Sequence, residues 1–273
     1  MPPAIGIAYV SPNGSTRKVA ETIVDQLTEC GASVTVADLS NKDESRSLIR
    51  MMDSDDETLL FIGSPVYSSL AVPPVMSFID ELSPSPDSWA APFVTYGIAC
   101  SGMALWQMAA AVGDRGFQVA GAAKIAALHS VMWRSDHPEG EGRPDTDDLG
   151  HVRNLADTLY SRLTTGTLTP LSLAELDYHP PDLAAELKAK MAKPRKGIPR
   201  TVDEDICDEC GECATNCPVG AITLNPTPEF GDACFDCLTC IRLCPKNAIT
   251  PAISLAALEE MIRNRVKTIN EQP

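Results

Sequence analysis

The chain has 273 residues, a length that suits two domains, and 44% hydrophobic residues, ordinary for a globular protein with a sizeable core. Lysine and arginine total 22 against 37 acids, a formal net charge of −15, which repels nucleic acid and anionic lipid and favours a partner with a basic docking patch. No run approaches the roughly 18 uninterrupted apolar residues of a membrane span. The N-terminus, Met1-Pro2-Pro3-Ala4-Ile5-Gly6-Ile7, lacks the basic n-region of a signal peptide, so a soluble cytoplasmic protein is expected.

Residues 1–165 alternate strand-like and helical patterns. Ile5 to Val10 predicts a buried strand, broken at Ser11-Pro12-Asn13-Gly14, after which Val19, Ala20, Ile23 and Leu27 share one face of a helix. Further strands are expected at Ser33 to Ala37, Leu59 to Ile62, Phe93 to Ile98 and Gln118 to Leu128, with helices near 44–52, 73–82, 102–115 and 148–163. Such alternation builds an α/β, doubly wound parallel sheet, whose ligands sit outside the carboxyl ends of the strands. The loops after strands one, three and four are therefore the ones that matter. Residues 134 to 147, polar and rich in Pro and Gly, read as an exposed loop. Residues 166–200 read as a linker with one short helix near Leu183 to Ala192. The basic cluster Lys188, Lys190, Lys193, Arg195, Lys196 and Arg200 is either solvated or packed on the acidic faces of the flanking domains.

Cysteine placement says more than cysteine count. Eight of the ten lie between 207 and 244, a concentration that points to metal or cluster ligation in a reducing compartment rather than to disulfides. Cys207-x2-Cys210-x2-Cys213-x3-Cys217-Pro218 recurs as Cys234-x2-Cys237-x2-Cys240-x3-Cys244-Pro245, and Cys-Pro-Val-Gly-Ala-Ile-Thr at 217–223 matches Cys-Pro-Lys-Asn-Ala-Ile-Thr at 244–250, always 27 apart. Paired CxxC zinc sites explain four thiolates but not a third at the same spacing, twice. In the repeated pattern three thiolates wrap one cubane and the fourth reaches the other. Cys207, Cys210, Cys213 and Cys244 then hold one [4Fe–4S] cluster, and Cys234, Cys237, Cys240 and Cys217 the second. Residues 201–252 resemble the two-[4Fe–4S] ferredoxin domain, a small α+β unit, and 253–273 are expected to form a C-terminal helix.

Ser11-Pro12-Asn13-Gly14-Ser15-Thr16-Arg17 opens into a helix without a Gly-Lys-Ser/Thr or GxGxxG signature, which suits one terminal monophosphate. Gly63-Ser64-Pro65-Val66-Tyr67-Ser68-Ser69-Leu70 follows strand three, and Thr95-Tyr96-Gly97-Ile98-Ala99-Cys100-Ser101-Gly102 follows strand four. Together these three loops resemble those of flavodoxin, which implies a five-stranded sheet of order 2-1-3-4-5 and bound FMN. The resemblance assigns Ser11, Asn13, Gly14, Ser15 and Thr16 to the phosphate. It assigns Pro65, Val66, Tyr67, Thr95, Tyr96, Gly97, Ser101 and Gly102 to the ribityl chain and ring, with Tyr67 and then Tyr96 or Trp106 as stacking aromatics. The chain as a whole resembles flavodoxin–ferredoxin fusion proteins.

The expected role is electron transfer between FMN and two [4Fe–4S] clusters toward a redox partner. The alternatives are an FMN-dependent reductase of a small substrate, with His129, Tyr67 and Cys100 as proton-delivery candidates, and a ferredoxin whose larger domain only docks a partner. No Ser-His-Asp or paired-carboxylate arrangement presents itself, so hydrolysis is not expected.

Overall fold

In the computed structural model residues 3–53, 57–193 and 197–271 are described. Pro194, Arg195 and Lys196 of the basic cluster lie outside them.

Strands β1 (Ala4–Tyr9), β3 (Thr58–Pro65) and β4 (Trp89–Tyr96) are buried almost throughout, as central strands covered on both faces must be. With β2 (Val34–Asp38) and the fifth position they form a parallel sheet. The order is β2-β1-β3-β4-β5. Helices α2 (Lys42–Met52), α3 (Pro73–Glu81) and α4 (Ala104–Asp114) cover one face through Leu48, Val75, Phe78, Ile79 and Met108. Helices α1 (Ser15–Glu29) and α5 (Thr146–Thr164) cover the other through Val19, Ile23, Leu27, Val152, Ala156 and Leu159. This is the doubly wound flavodoxin-like fold.

The fifth strand departs from expectation. In place of one run there are two short strands on the same edge of β4, β5 (Gln118–Val119) and β6 (Ala123–Ala126). Between them Gly121 admits α5 so closely that a Cβ there would lie 3.2 Å from Leu155 Cδ1. Beyond Ala126 the backbone turns to the 134–147 segment: Leu128 N–H donates to Arg143 C=O at 3.3 Å and His129 N–H to Glu139 C=O at 2.9 Å. That segment is therefore packed on the strand end rather than merely solvated, and Pro144 within it is buried.

After α6 (Pro181–Met191) the chain enters a small α+β unit. Here β7 (Arg200–Val202) pairs antiparallel with β10 (Ile249–Pro251), and β8 (Ile222–Leu224) with β9 (Pro228–Phe230). The 27-residue repeat is visible in the backbone. The short helices α7 (Glu212–Thr215) and α8 (Thr239–Leu243) begin 27 apart. Left-handed residues recur at the same offset: Glu209 with Asp236, Gly211 with Leu238, and Gly220 with Asn247. Four of these six are not glycine, so the ligand loops hold a costly conformation twice.

The unit is seated on the larger sheet. Phe235 is 1% exposed, joins the core beneath α2–α4, and meets Tyr67 edge-on at 5.9 Å between ring centroids. Helix α9 (Leu255–Ile269) then returns across the junction. Among the described residues no helix is long and apolar enough to cross a membrane.

Candidate functional site

Strand order reverses between β1 and β3, and the loops leaving β1, β3 and β4 surround a cavity of about 380 Å³ at that switch point. The loop after β1 is closed by Gly14 N–H on Ser11 C=O at 3.3 Å and by Arg17 N–H on Ser11 Oγ at 2.9 Å. Gly14 caps α1 with φ +87° and supplies no side-chain cap, so with Arg17 N–H taken by Ser11 the N–H groups of Ser15 and Thr16 are the ones left to an acceptor. Thr16 is buried and its hydroxyl shares a 2.8 Å hydrogen bond with that of Thr95, which ties the first loop to β4.

The loop after β3 is held by Val66 N–H on Thr95 C=O at 2.8 Å and by the reciprocal Tyr67–Leu70 pair at 3.1 Å. After β4 the chain is strained. Ile98, β-branched, has φ +63°, a rare conformation for such a residue and one that concentrates at functional loops. Gly97 is obligatory for a different reason: a Cβ there would lie 2.5 Å from the ring of His129.

Of the residues that the resemblance to flavodoxin assigns to FMN, Ser11, Asn13, Ser15, Thr16, Pro65, Val66, Tyr67, Thr95, Tyr96 and Gly97 line this cavity. Gly14 instead lines an adjoining, more polar cavity of about 480 Å³ with Arg17 and Arg242. Ser101 and Gly102 line neither. Ser101 is engaged by Glu271, through its N–H at 2.9 Å and its hydroxyl at 2.5 Å, and by the Tyr178 hydroxyl at 2.7 Å. The Gly102 carbonyl is 2.9 Å from His179 Nε2, and a Cβ on Gly102 would lie 2.1 Å from Ser69 O. Trp106 does not line the cavity; it lies beneath Lys188 and packs against the cluster of Cys100, Met103 and Leu187.

His129 and Cys100 also line the cavity. Burial pushes the His129 imidazole down to about 4, so it is neutral at pH 7, and burial likewise raises the Cys100 thiol and keeps it protonated. Tyr96 is raised too, first by burial and then by the Glu271 carboxylate. None of these groups is poised to give up a proton near neutrality.

The remaining wall was not legible in the sequence. Ile198, Asp236 and Leu238 come from the cysteine-bearing unit, and Leu258, Met261, Ile262 and Arg265 from α9. Only the apolar spacing of Leu258, Met261, Ile262 and Ile269 hinted that α9 has a face to bury.

The cysteines fall into two groups. Cys207, Cys210, Cys213 and Cys244 line one small cavity. Burial raises the Cys213 thiol, and charge on Cys210 and Cys244 adds to this. Burial also raises Cys237, with Cys234 and Cys217 adding to it, and pushes Cys240 up to about 12 against the pull of Arg200. Each far cysteine is oriented by the same bond, Ala221 N–H to Cys217 Sγ at 3.2 Å and Ala248 N–H to Cys244 Sγ at 3.3 Å. Beside the second group stands a buried ion pair: Arg200 donates to Asp236 at 2.8 Å, and Ile198 N–H donates to the same carboxylate at 3.0 Å.

Residues 200–223 match the 4Fe-4S binding domain family. Among curated proteins none matches the chain. Similar solved structures include the flavodiiron core of Synechocystis sp. PCC6803 (18% identity, 60% of this chain and 37% of that one, TM-score 0.47). The rubredoxin:oxygen oxidoreductase of Desulfovibrio gigas is similar at 20% identity over 59% of this chain and 36% of that one, TM-score 0.47. A flavodoxin from the domain Archaea is similar at 19% identity over 59% of this chain and 99% of that one, TM-score 0.43. The chain spans little more than a third of the length of the first two. Strand order and the family match together define the class: a flavodoxin-like α/β sheet joined to a 4Fe-4S binding domain.

Proposed function

We propose that the protein is an electron-transfer flavo-iron–sulfur protein that relays electrons between FMN and two [4Fe–4S] clusters and a partner redox enzyme. One observation carries the reading: Asp236 and Leu238, which flank Cys237, are part of the wall of the cavity at the sheet's switch point. A cluster on that loop and a flavin in that cavity are neighbours. The residues suit both groups, with eight thiols in two sets of four and a cavity whose lining includes both the hydroxyl-bearing helix start and Tyr67 and Tyr96. FMN exchanges one or two electrons and each cluster exchanges one.

In this reading Ser11, Asn13, Ser15 and Thr16 bind the phosphate, with Gly14 shaping the turn. Pro65, Val66, Tyr67, Thr95, Tyr96 and Gly97 hold the ring, and Cys100 and His129 close its far side without donating protons. The set Cys234, Cys237, Cys240 and Cys217 lies against the flavin cavity. The set Cys207, Cys210, Cys213 and Cys244 faces outward, with Cys210 exposed amid Asp203, Glu204, Asp205, Asp208, Glu209 and Glu212. That arrangement favours a partner with a basic docking patch. Eight cysteines kept for iron–sulfur ligation rather than paired in disulfides suit a reducing, cytoplasmic setting.

The test is anaerobic purification with iron, sulfide and flavin quantitation. The expected result is about eight iron and one FMN per chain, with flavin bands near roughly 370 and 450 nm over an iron–sulfur shoulder. Iron without flavin sinks the relay and leaves a docking module. Steady turnover of an added acceptor, faster than its direct reduction by the dithionite donor, would instead establish a reductase of a small substrate.

A further inference from the structure

Helix α9 turns Leu258, Met261, Ile262 and Arg265 toward the cavity, three apolar side chains and one cation. The helix is pinned from several sides. Glu271 accepts from Ser101 N–H at 2.9 Å and from Lys124 Nζ at 2.8 Å, and Arg263 donates to Ser135 Oγ at 2.8 Å. Arg265 itself is half satisfied. Its Nη1 donates to Glu186 Oε1 on α6 at 3.0 Å, while its Nη2 is buried with no hydrogen-bond partner. The other charged group in the wall, Asp236, already accepts from Arg200. The Cys100 thiol beside this guanidinium is a weak acceptor, and a buried guanidinium N–H without a strong one is costly, so the position suits a stronger acceptor from a bound molecule.

The chemistry of the wall says which acceptor. The hydroxyl-lined loop at Ser11–Thr16 takes the anionic end of a mononucleotide, whereas Arg265 stands beside the Cys100 thiol in the loop after β4. An isoalloxazine carries its acceptors along its pyrimidine edge, and its remaining outline is apolar, matching Leu258, Met261 and Ile262. We propose that Arg265 is a cationic donor to the pyrimidine edge of the bound flavin and favours its reduced over its oxidised form. This rests on the reading that the cavity holds FMN. The balance is simple: two electrons, passed singly from the reduced clusters, and one proton from solvent leave the ring with one added negative charge. A fixed guanidinium facing that charge raises the flavin's potential.

The experiment uses the full, cluster-loaded chain as wild type, R265Q, R265K and E186Q. It measures affinity for oxidised FMN and for riboflavin, and the flavin midpoint potential by spectroelectrochemistry. R265Q is expected to lower the preference for reduced over oxidised flavin about tenfold, a fall of about 30 mV for a two-electron couple. R265K should retain most of the wild-type value, and FMN and riboflavin should weaken by the same factor. E186Q removes an exposed counter-charge and should move the potential upward, which keeps the test alive if R265Q fails to fold. An unchanged potential in R265Q with a full complement of FMN overturns the proposal. So does a loss of FMN affinity with riboflavin unaffected, because that places the guanidinium on the phosphate. A wild-type chain that binds no flavin overturns the underlying FMN reading instead, and the two failures are thereby distinct.

Discussion

At Gly97 the absence of a side chain is what lets the His129 ring form part of the cavity wall. Gly97→Ala is expected to displace that ring, cost about 1–3 kcal/mol by overpacking and weaken flavin binding, as thermal unfolding and FMN titration would register. His129 carries a pH dependence of its own. Its folded value near 4 lies below the ordinary 6.5 of an imidazole, so the folded state binds fewer protons than the unfolded chain between those values. Stability is therefore full above about pH 6.5 and declines as the pH falls toward about 4, by at most about 3 kcal/mol because solvent in the cavity screens part of it. His129→Gln removes this limb, and the difference between the two denaturation profiles isolates it from acid loss of the clusters. The buried pair Arg200–Asp236 behaves differently. Asp236→Asn leaves a guanidinium that is only 4% exposed without its counter-charge beside the second cysteine set, at a cost of about 3–5 kcal/mol in denaturant unfolding.

Among the elements, the fifth strand and α9 show how packing overrules local pattern. Gln118 to Leu128 has one apolar run, yet it is divided where Gly121 lets α5 approach; Ala127 N–H still donates to Tyr96 C=O on β4, and only at Leu128 does the chain turn to Arg143. Helix α9 has no fully buried residue, and its hold on the sheet depends on polar anchors. The Glu271 carboxylate stays below the ordinary range although burial alone would raise it, because Lys124 and Ser101 bind its charged form. Glu271→Gln should loosen the helix. Faster hydrogen exchange across 255–269, with little change in the central strands, is the expected signature. Equal protection in the variant would mean that apolar contacts alone hold α9.

In the whole molecule, the decisive join is between the sheet and the cysteine-bearing unit. Phe235 lies in the core under α2–α4 and Cys237 packs against the same core, so the second cysteine set is the one next to the sheet. Phe235→Ala is expected to cost about 3–5 kcal/mol in denaturant unfolding. Cys217→Ser should remove about half the iron while leaving the set with Cys244 intact. In FMN-loaded protein mixed in stopped flow with a donor that reduces the clusters, electron transfer from cluster to flavin should then be far slower. Equal losses from Cys207→Ser and Cys217→Ser in that assay would argue against the order. With a net charge of −15, association with a basic partner should slow as ionic strength rises.

Much of this was legible in the sequence, for a physical reason. Strand and helix periods are local, so the buried runs of β1, β3 and β4 and the apolar faces of α1 and α5 announced a doubly wound sheet. The cysteine spacing is local as well: a thiolate every third residue can only describe a tight ligand loop, and the offset of 27 predicted a backbone repeat that the paired left-handed residues display. What the tertiary structure alone decided is which atoms face one another across long separations. Ser101 and Gly102 sit in a flavodoxin-like loop by sequence, yet contacts from Glu271, Tyr178 and His179 draw them out of the cavity. Asp236, Leu238 and Arg265 have no local mark of a cavity wall. They become one because burial of Phe235 and the anchoring of α9 bring segments more than 130 residues from the β4 loop against it.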